Sequence, residues 1–159
     1  SFDDFKNQTR IIIGSNNMDA STKVADMFKK VFPSIPIVLT DSKNAEMTKY
    51  FINCFLATKV TFANQMYQIC TDNNIEYDDV KKLALLDKRI GRSHLLVPGP
   101  DGDRGFGGHC FPKDLAAMID LGSKNNQNPT FLQEVMSFND RIRKVRDWEK
   151  MKGRAISDD

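Results

Sequence analysis

Apolar positions along this chain follow two different rhythms. Ile11-Ile12-Ile13 is a continuous β-branched run closed by Gly14, the pattern of a strand buried on both faces. From about Ser21, residues Val24, Phe28, Val31 and Phe32 recur at helical spacing until Pro33 stops the helix. Pro36-Ile37-Val38-Leu39 then reads as a second strand. A β-α-β unit needs more parallel strands beside it. Residues 1–40 are therefore expected to be the remnant of an α/β domain, and the chain the C-terminal part of something longer.

Beyond that point the rhythm is helical. One long helix is predicted from Asp41 or Ser42, either of which can be the N-cap, to about Asp72. Met47, Tyr50, Phe51, Cys54, Phe55, Ala57, Phe62, Met66 and Ile69 make it apolar around most of its circumference, so it should be buried or lie in an oligomer interface. A shorter helix is expected over Tyr77–Leu86, with Asp78 and Asp79 favourably placed in its first turn. The loop from Pro98 to Gly105 is rich in glycine and proline, and a helix follows from near Pro112 to near Gly122. A last helix should run from about Pro129 to Met151, with Leu132, Val135, Met136, Asn139, Ile142 and Val145 on its inner stripe. The fold class is mainly α: a helical domain over 41–159 with a long central helix, preceded by the β-α-β remnant.

Composition narrows the function classes. A net charge of +2 over 159 residues is too small to argue for nucleic acid or an anionic membrane. The basic residues from Arg141 to Arg154 are interleaved with Asp140, Asp147 and Glu149, which reads most simply as a solvated helix face. No apolar run is long enough to span a bilayer, and no signal peptide opens the sequence. Three cysteines, Cys54, Cys70 and Cys110, fit a reducing cytoplasm better than a disulfide framework. Cys54 and Cys70 read as core thiols. Cys70, His94, His109 and Cys110 have none of the usual zinc-ligand spacings, so no metal is assigned.

Candidate chemistry gathers in Gly105-Phe106-Gly107-Gly108-His109-Cys110-Phe111-Pro112-Lys113-Asp114. Three glycines let a backbone approach a ligand closely or take positive φ. Cys110 follows them at the start of a helix, where exposed amides favour a thiolate, and Lys113 is one turn away. Asp114 comes four residues after the thiol. This arrangement suits covalent chemistry on a carbonyl, although a tight turn with a buried cysteine would look the same. On the long helix, Lys49 and Asn53 share one face among apolar neighbours and need partners if buried. Alternatively Lys49 reaches solvent and Asn53 bonds a nearby loop. Lys59 and Asn64 read as exposed positions, and His94 as a loop residue.

Three stretches together, Glu46 to Lys59, Asp87-Lys88-Arg89-Ile90-Gly91 and Gly105 to Asp114, resemble the UDP-glucose/GDP-mannose dehydrogenase family, its UDP-glucose 6-dehydrogenases in particular. The resemblance implies that residues 1–40 end an NAD-binding Rossmann domain and that 41–159 form the helical central domain through which the family dimerises. It implies oxidation of a nucleotide-sugar 6-hydroxyl, with NAD as cofactor. Cys110 would be the nucleophile, passing through a thiohemiacetal and a thioester. Lys49 and Asn53 would stabilise the oxyanion or hold water, and Asp114 would handle protons. Arg89, Phe106, Gly107 and Gly108 would contact the substrate, Arg89 reaching a partner subunit's nucleotide-sugar. Cys110 and Lys113 would face the nicotinamide. His109, a position that varies in the family, is read only from its place beside Cys110, as a residue that lines the site or acts as a base.

The sequence also departs from the family. Gly105 and Gly107 are followed at the third position by Cys110, so the Gly-x-Gly-x-x-Gly pyrophosphate turn is absent. The family's glutamate-bearing substrate loop is absent too, and the 96–104 loop is longer than in many relatives. Two readings follow: part of a UDP-glucose 6-dehydrogenase, or a dimerisation module that does not turn over by itself. GDP-mannose and N-acetylated UDP-sugars are the alternative substrates to UDP-glucose.

Overall fold

The structure, a computed structural model, describes residues 6–125 and 127–150. Its contacts divide the chain into two compact units, Ser1–Phe51 and Ile52–Asp159. In the first, strands β1 (Ile11–Gly14) and β2 (Ile37–Thr40) pair in parallel, with Ile11 opposite Ile37 and Gly14 opposite Thr40. Helix α1 (Met18–Val31) connects them. It starts at Met18 rather than near Ser21 because Asn17 is its cap, accepting from the Ala20 amide at 3.0 Å. Phe28 and Phe32 stack at 6.5 Å, whereas Val24 and Val31 of the expected apolar stripe are exposed.

Helix α2 spans Ser42–Asp72, as its apolar rhythm predicts. Asp41 is the cap, its carboxylate accepting from the Asn44 amide at 2.8 Å. In the second unit α2 turns small residues inward. Cys54 and Ala57 pack with Phe106, Leu115 and Val135, and further along Ala63 and Cys70 pack with Tyr77 and Leu95. Its large apolar residues Phe55, Phe62 and Ile69 remain exposed.

Helix α3 (Tyr77–Ala84) ends slightly before the expected Leu86. Helices α4 (Cys110–Lys124) and α5 (Thr130–Ile142) pack together, and a short 3-10 helix, Asp147–Lys150, buries Trp148. The last helix therefore does not run on to Met151, a residue outside those described, as is Arg154 of the basic run. It breaks at Arg143, whose backbone is extended (φ −76°, ψ 126°) so that its side chain can turn onto an acidic loop. Val145, placed on the inner stripe by spacing, consequently lies outside the helix and exposed. The described residues are mainly helical, and none of their helices is long and apolar enough to cross a membrane.

Candidate active site

Each part of the glycine-rich segment is held by a side chain from elsewhere in the second unit. Asn64, buried on α2, accepts from the Gly105 amide at 3.3 Å. Asn139 of α5, fully buried, accepts from the Phe106 amide at 2.7 Å and donates to the Phe106 carbonyl at 3.0 Å. Asp147 accepts from the Gly108 amide through both oxygens, at 3.1 and 3.0 Å. Two glycines are sterically required. A Cβ on Gly105 would sit 2.2 Å from the Asn139 oxygen, with φ already at +71°, and a Cβ on Gly107 would sit 2.2 Å from an Arg143 nitrogen.

Arg143 is the hub beneath this loop. Its side chain is 3% exposed and donates to Asp101 at 2.6 Å and to the Val145 carbonyl at 2.9 Å. Asp103 and Asp147 lie 3.7 and 3.8 Å from the guanidinium. The hydrogen bond from Arg143 holds the Asp101 carboxyl below the usual carboxylate range. For Asp103, burial pushes upward, but amide bonds from Val145, Arg104 and Lys144 and the Arg143 charge together keep its pKa low. The run from Arg141 onward is therefore not simply a solvated face: its arginine at 143 is buried and paired.

The loop delivers Cys110 as the first residue of α4. Pro112 is thus the third residue of the helix, still within the turn whose amides have no helical partner. The Cys110 thiol is exposed and lies 3.4 Å from Nε2 of His109. Asp114, four residues on, is fully buried. It accepts from the Asn53 amide at 2.5 Å and pairs with Lys113. Cys54 is buried beside it, and burial first, then the Asp114 charge, pushes that thiol's pKa up, toward the inert protonated form.

Asn53, Lys113 and Asp114 are thus brought together, with Cys110 one helical turn away at the surface. Lys49 lies one turn before Asn53 along α2, with its ammonium 5.2 Å from the centre of the Tyr50 ring. Arg89 projects into solvent, tied to Asp87 at 2.6 Å. Phe106 is buried, its ring edge-on to Phe111 at 6.0 Å. Beside the loop opens a cavity of about 560 Å³, lined by Val60, Leu96, Phe111, His94 and the glycine segment among others. His94 holds a positive φ of 64° and packs its ring 5.7 Å from that of Phe111. Burial, then the Lys59 charge, lowers its pKa below the ordinary histidine value.

Two residues depart from their expected exposure. Asn64 is 3% exposed, and Lys59 is half-buried, donating to the Ile90 and Gly91 carbonyls. The residues that position the loop (Asn64, Asp101, Asp103, Asn139, Arg143 and Asp147) were not readable as a group. Asn139 did carry one signal, since an amide in an apolar stripe needs a partner.

A mainly helical domain that presents a glycine-cradled thiol at a helix start, with a buried carboxylate on the next turn, is the class of site defined here. A family model described as UDP-glucose/GDP-mannose dehydrogenase family, central domain, matches residues 43–141. The chain belongs to that family. It is 34% identical over 168 residues to the UDP-glucose 6-dehydrogenase of Rickettsia bellii (strain RML369-C), a match covering 98% of this chain and 36% of that protein. It is 33% identical over 144 residues to the UDP-glucose 6-dehydrogenase of Pseudomonas aeruginosa, covering 90% of this chain and 31% of that one. Among solved structures, a UDP-glucose dehydrogenase from the hyperthermophilic archaeon Pyrobaculum islandicum superposes with a TM-score of 0.73 at 30% identity, covering 87% of this chain and 31% of that one. The chain thus spans about a third of the length of these relatives.

Proposed function

We propose that this chain is part of an NAD-dependent nucleotide-sugar 6-dehydrogenase that oxidises UDP-glucose to UDP-glucuronate in two hydride transfers, with Cys110 as the nucleophile. One observation carries the reading. Of the three cysteines only Cys110 is exposed, and it begins α4 at the end of a loop anchored by Asn64, Asn139 and Asp147. A thiol fixed there, at the first residue of a helix, is exposed and presented to a ligand. Similarity to proteins named UDP-glucose 6-dehydrogenase supports the substrate class.

In this reading the Cys110 sulfur adds to the C6 aldehyde, giving a thiohemiacetal. Loss of hydride from C6 leaves a thioester, and water then releases the carboxylate and restores the thiol. Asn53, with Lys49 one turn away on α2, stabilises the oxyanion. Asp114, held by Asn53 and Lys113, takes the proton from the attacking water. Phe106, Gly107 and Gly108 would lie along the sugar, Arg89 would reach the nucleotide-sugar of a partner subunit, and Cys110 and Lys113 are the residues that would meet the nicotinamide of a bound NAD.

The β1–α1 turn of this chain does not fit a dinucleotide's pyrophosphate. The glycine fingerprint is missing, and the Asn17 side chain already occupies the Ala20 amide at the start of α1. We read residues 1–40 as the end of the NAD domain, 41–159 as the central domain, and the protein's compartment as the reducing cytoplasm.

A second reading, that the chain alone is a dimerisation module, is favoured by Phe55, Phe62 and Ile69. They lie seven residues apart on one face of α2 and are all exposed. The two readings are compatible if the full-length protein is a homodimer paired through α2. The test of function is NADH formation by the full-length protein with UDP-glucose, GDP-mannose or N-acetylated UDP-sugars. The proposal expects UDP-glucose to give two NADH per sugar. Turnover with GDP-mannose alone, or one NADH per sugar, would overturn it.

A further inference from the structure

We infer that Arg143 and Asp147 are positioning residues for Cys110, acting through the glycine loop; the inference rests on the reading of Cys110 as nucleophile. Three features place them in that role. Arg143 is the one arginine among the described residues whose side chain is nearly fully buried, and it is buried directly beneath Gly107, where no side chain would fit. Asp147 closes the contact on the other side. It lies 3.8 Å from Arg143 and accepts the Gly108 amide, two residues before the thiol. Asp101 and Asp103, on the loop that leads into the glycine segment, balance the guanidinium charge.

A buried guanidinium is costly unless every face is matched. Five groups match this one: the carboxylates of Asp101, Asp103 and Asp147 and the Val145 and Arg104 carbonyls. The latch therefore has essentially one geometry, and so does the Gly107–Gly108 backbone lying on it. The 96–104 loop contributes its two carboxylates, Asp101 and Asp103, to Arg143. A positioning latch of this kind acts on rate. A displacement of about 1 Å at the nucleophile can cost on the order of 100-fold in turnover while leaving remote binding contacts intact.

The test uses the full-length protein with Arg143→Met, Arg143→Lys and Asp147→Ala. Three readouts are needed: thermal midpoint, kcat and KM for UDP-glucose, and the rate at which iodoacetamide alkylates Cys110, followed by mass spectrometry. We expect folded Arg143→Met and Asp147→Ala to lose roughly 10- to 100-fold in kcat with KM changed by less than about 3-fold. Cys110 alkylation should change by at least about 3-fold, and Arg143→Lys should not restore kcat, because one ammonium cannot match the planar fork. Should Arg143→Met fail to fold, Asp147→Ala, at a partly exposed side chain, carries the test alone. Wild-type kcat and alkylation rate in a folded variant would overturn the inference. If instead Cys110→Ala kept its activity, the nucleophile reading would fail, while the alkylation arm would still report on the latch.

Discussion

Asn139 makes both backbone hydrogen bonds of Phe106, accepting from its amide at 2.7 Å and donating to its carbonyl at 3.0 Å, and is itself fully buried. A helix side chain thus replaces a strand partner for the loop that leads to Cys110. Asn139→Ala leaves two buried backbone groups without partners. It should destabilise the fold by about 2–5 kcal/mol, read from urea unfolding. Asn139→Asp keeps the acceptor but turns the donor into an oxygen facing a carbonyl, so it should rescue little. Wild-type stability in either variant would show that the loop does not depend on this contact.

Gly105→Ala tests the same junction from the other side. The new methyl group would meet the Asn139 oxygen, on a backbone already at positive φ. Strain and collision together should cost about 2–4 kcal/mol. Gly102→Ala, also at positive φ but with open space around it, should cost only about 1 kcal/mol. Equal losses at the two positions would mean that the Asn139 contact adds nothing.

Tyr77 donates to the Leu95 carbonyl at 2.9 Å, and burial, then the Asp78 charge, pushes its pKa up to about 12. A tyrosine raised in the folded state contributes stability that is complete below its unfolded pKa of about 10 and is lost as pH rises through the folded value. Tyr77→Phe should cost about 1–2 kcal/mol at neutral pH and flatten the alkaline decline between those limits. An alkaline limb unchanged by the substitution would refute the assignment.

Asp101 behaves in the opposite sense. Its pKa is lowered by the hydrogen bond from Arg143, so its contribution is present above the ordinary carboxylate pKa and lost as pH falls through the folded value. Half of that side chain is exposed, which limits the size of the effect. Asp101→Asn should lower stability slightly at neutral pH and make unfolding less sensitive to acid. An acid transition identical to wild type would remove Asp101 from the latch's charge balance.

The exposed row Phe55, Phe62 and Ile69 predicts association through α2. Light scattering should report a dimer for the full-length protein, and Phe62→Glu should shift it toward monomer. A monomer at high concentration in the unmodified protein would contradict this.

The sequence made some of these features legible and hid others for a physical reason. Helix α2 was visible from cap to end because local rhythm and Asp41 define it. Cys110 was visible at a helix start because glycines and Pro112 bracket it. Spacing alone did not reveal that α2 buries its small residues, Ala57 and Ala63, and exposes phenylalanines; an all-round apolar helix does not say which side meets its own core. The break at Arg143 was also hidden. It depends on Asp101 and Asp103, about forty residues earlier in the chain, and no local propensity encodes a contact that distant. Asn64 looked like a surface residue for the same reason, since its partner is the Gly105 amide.

The most direct measurement is turnover of full-length Cys110→Ala with saturating UDP-glucose and NAD, beside calorimetric binding of UDP-glucose. If Cys110 is the nucleophile, NADH formation should fall by more than about 1,000-fold while the sugar nucleotide still binds. Turnover within about tenfold of wild type would contradict the account.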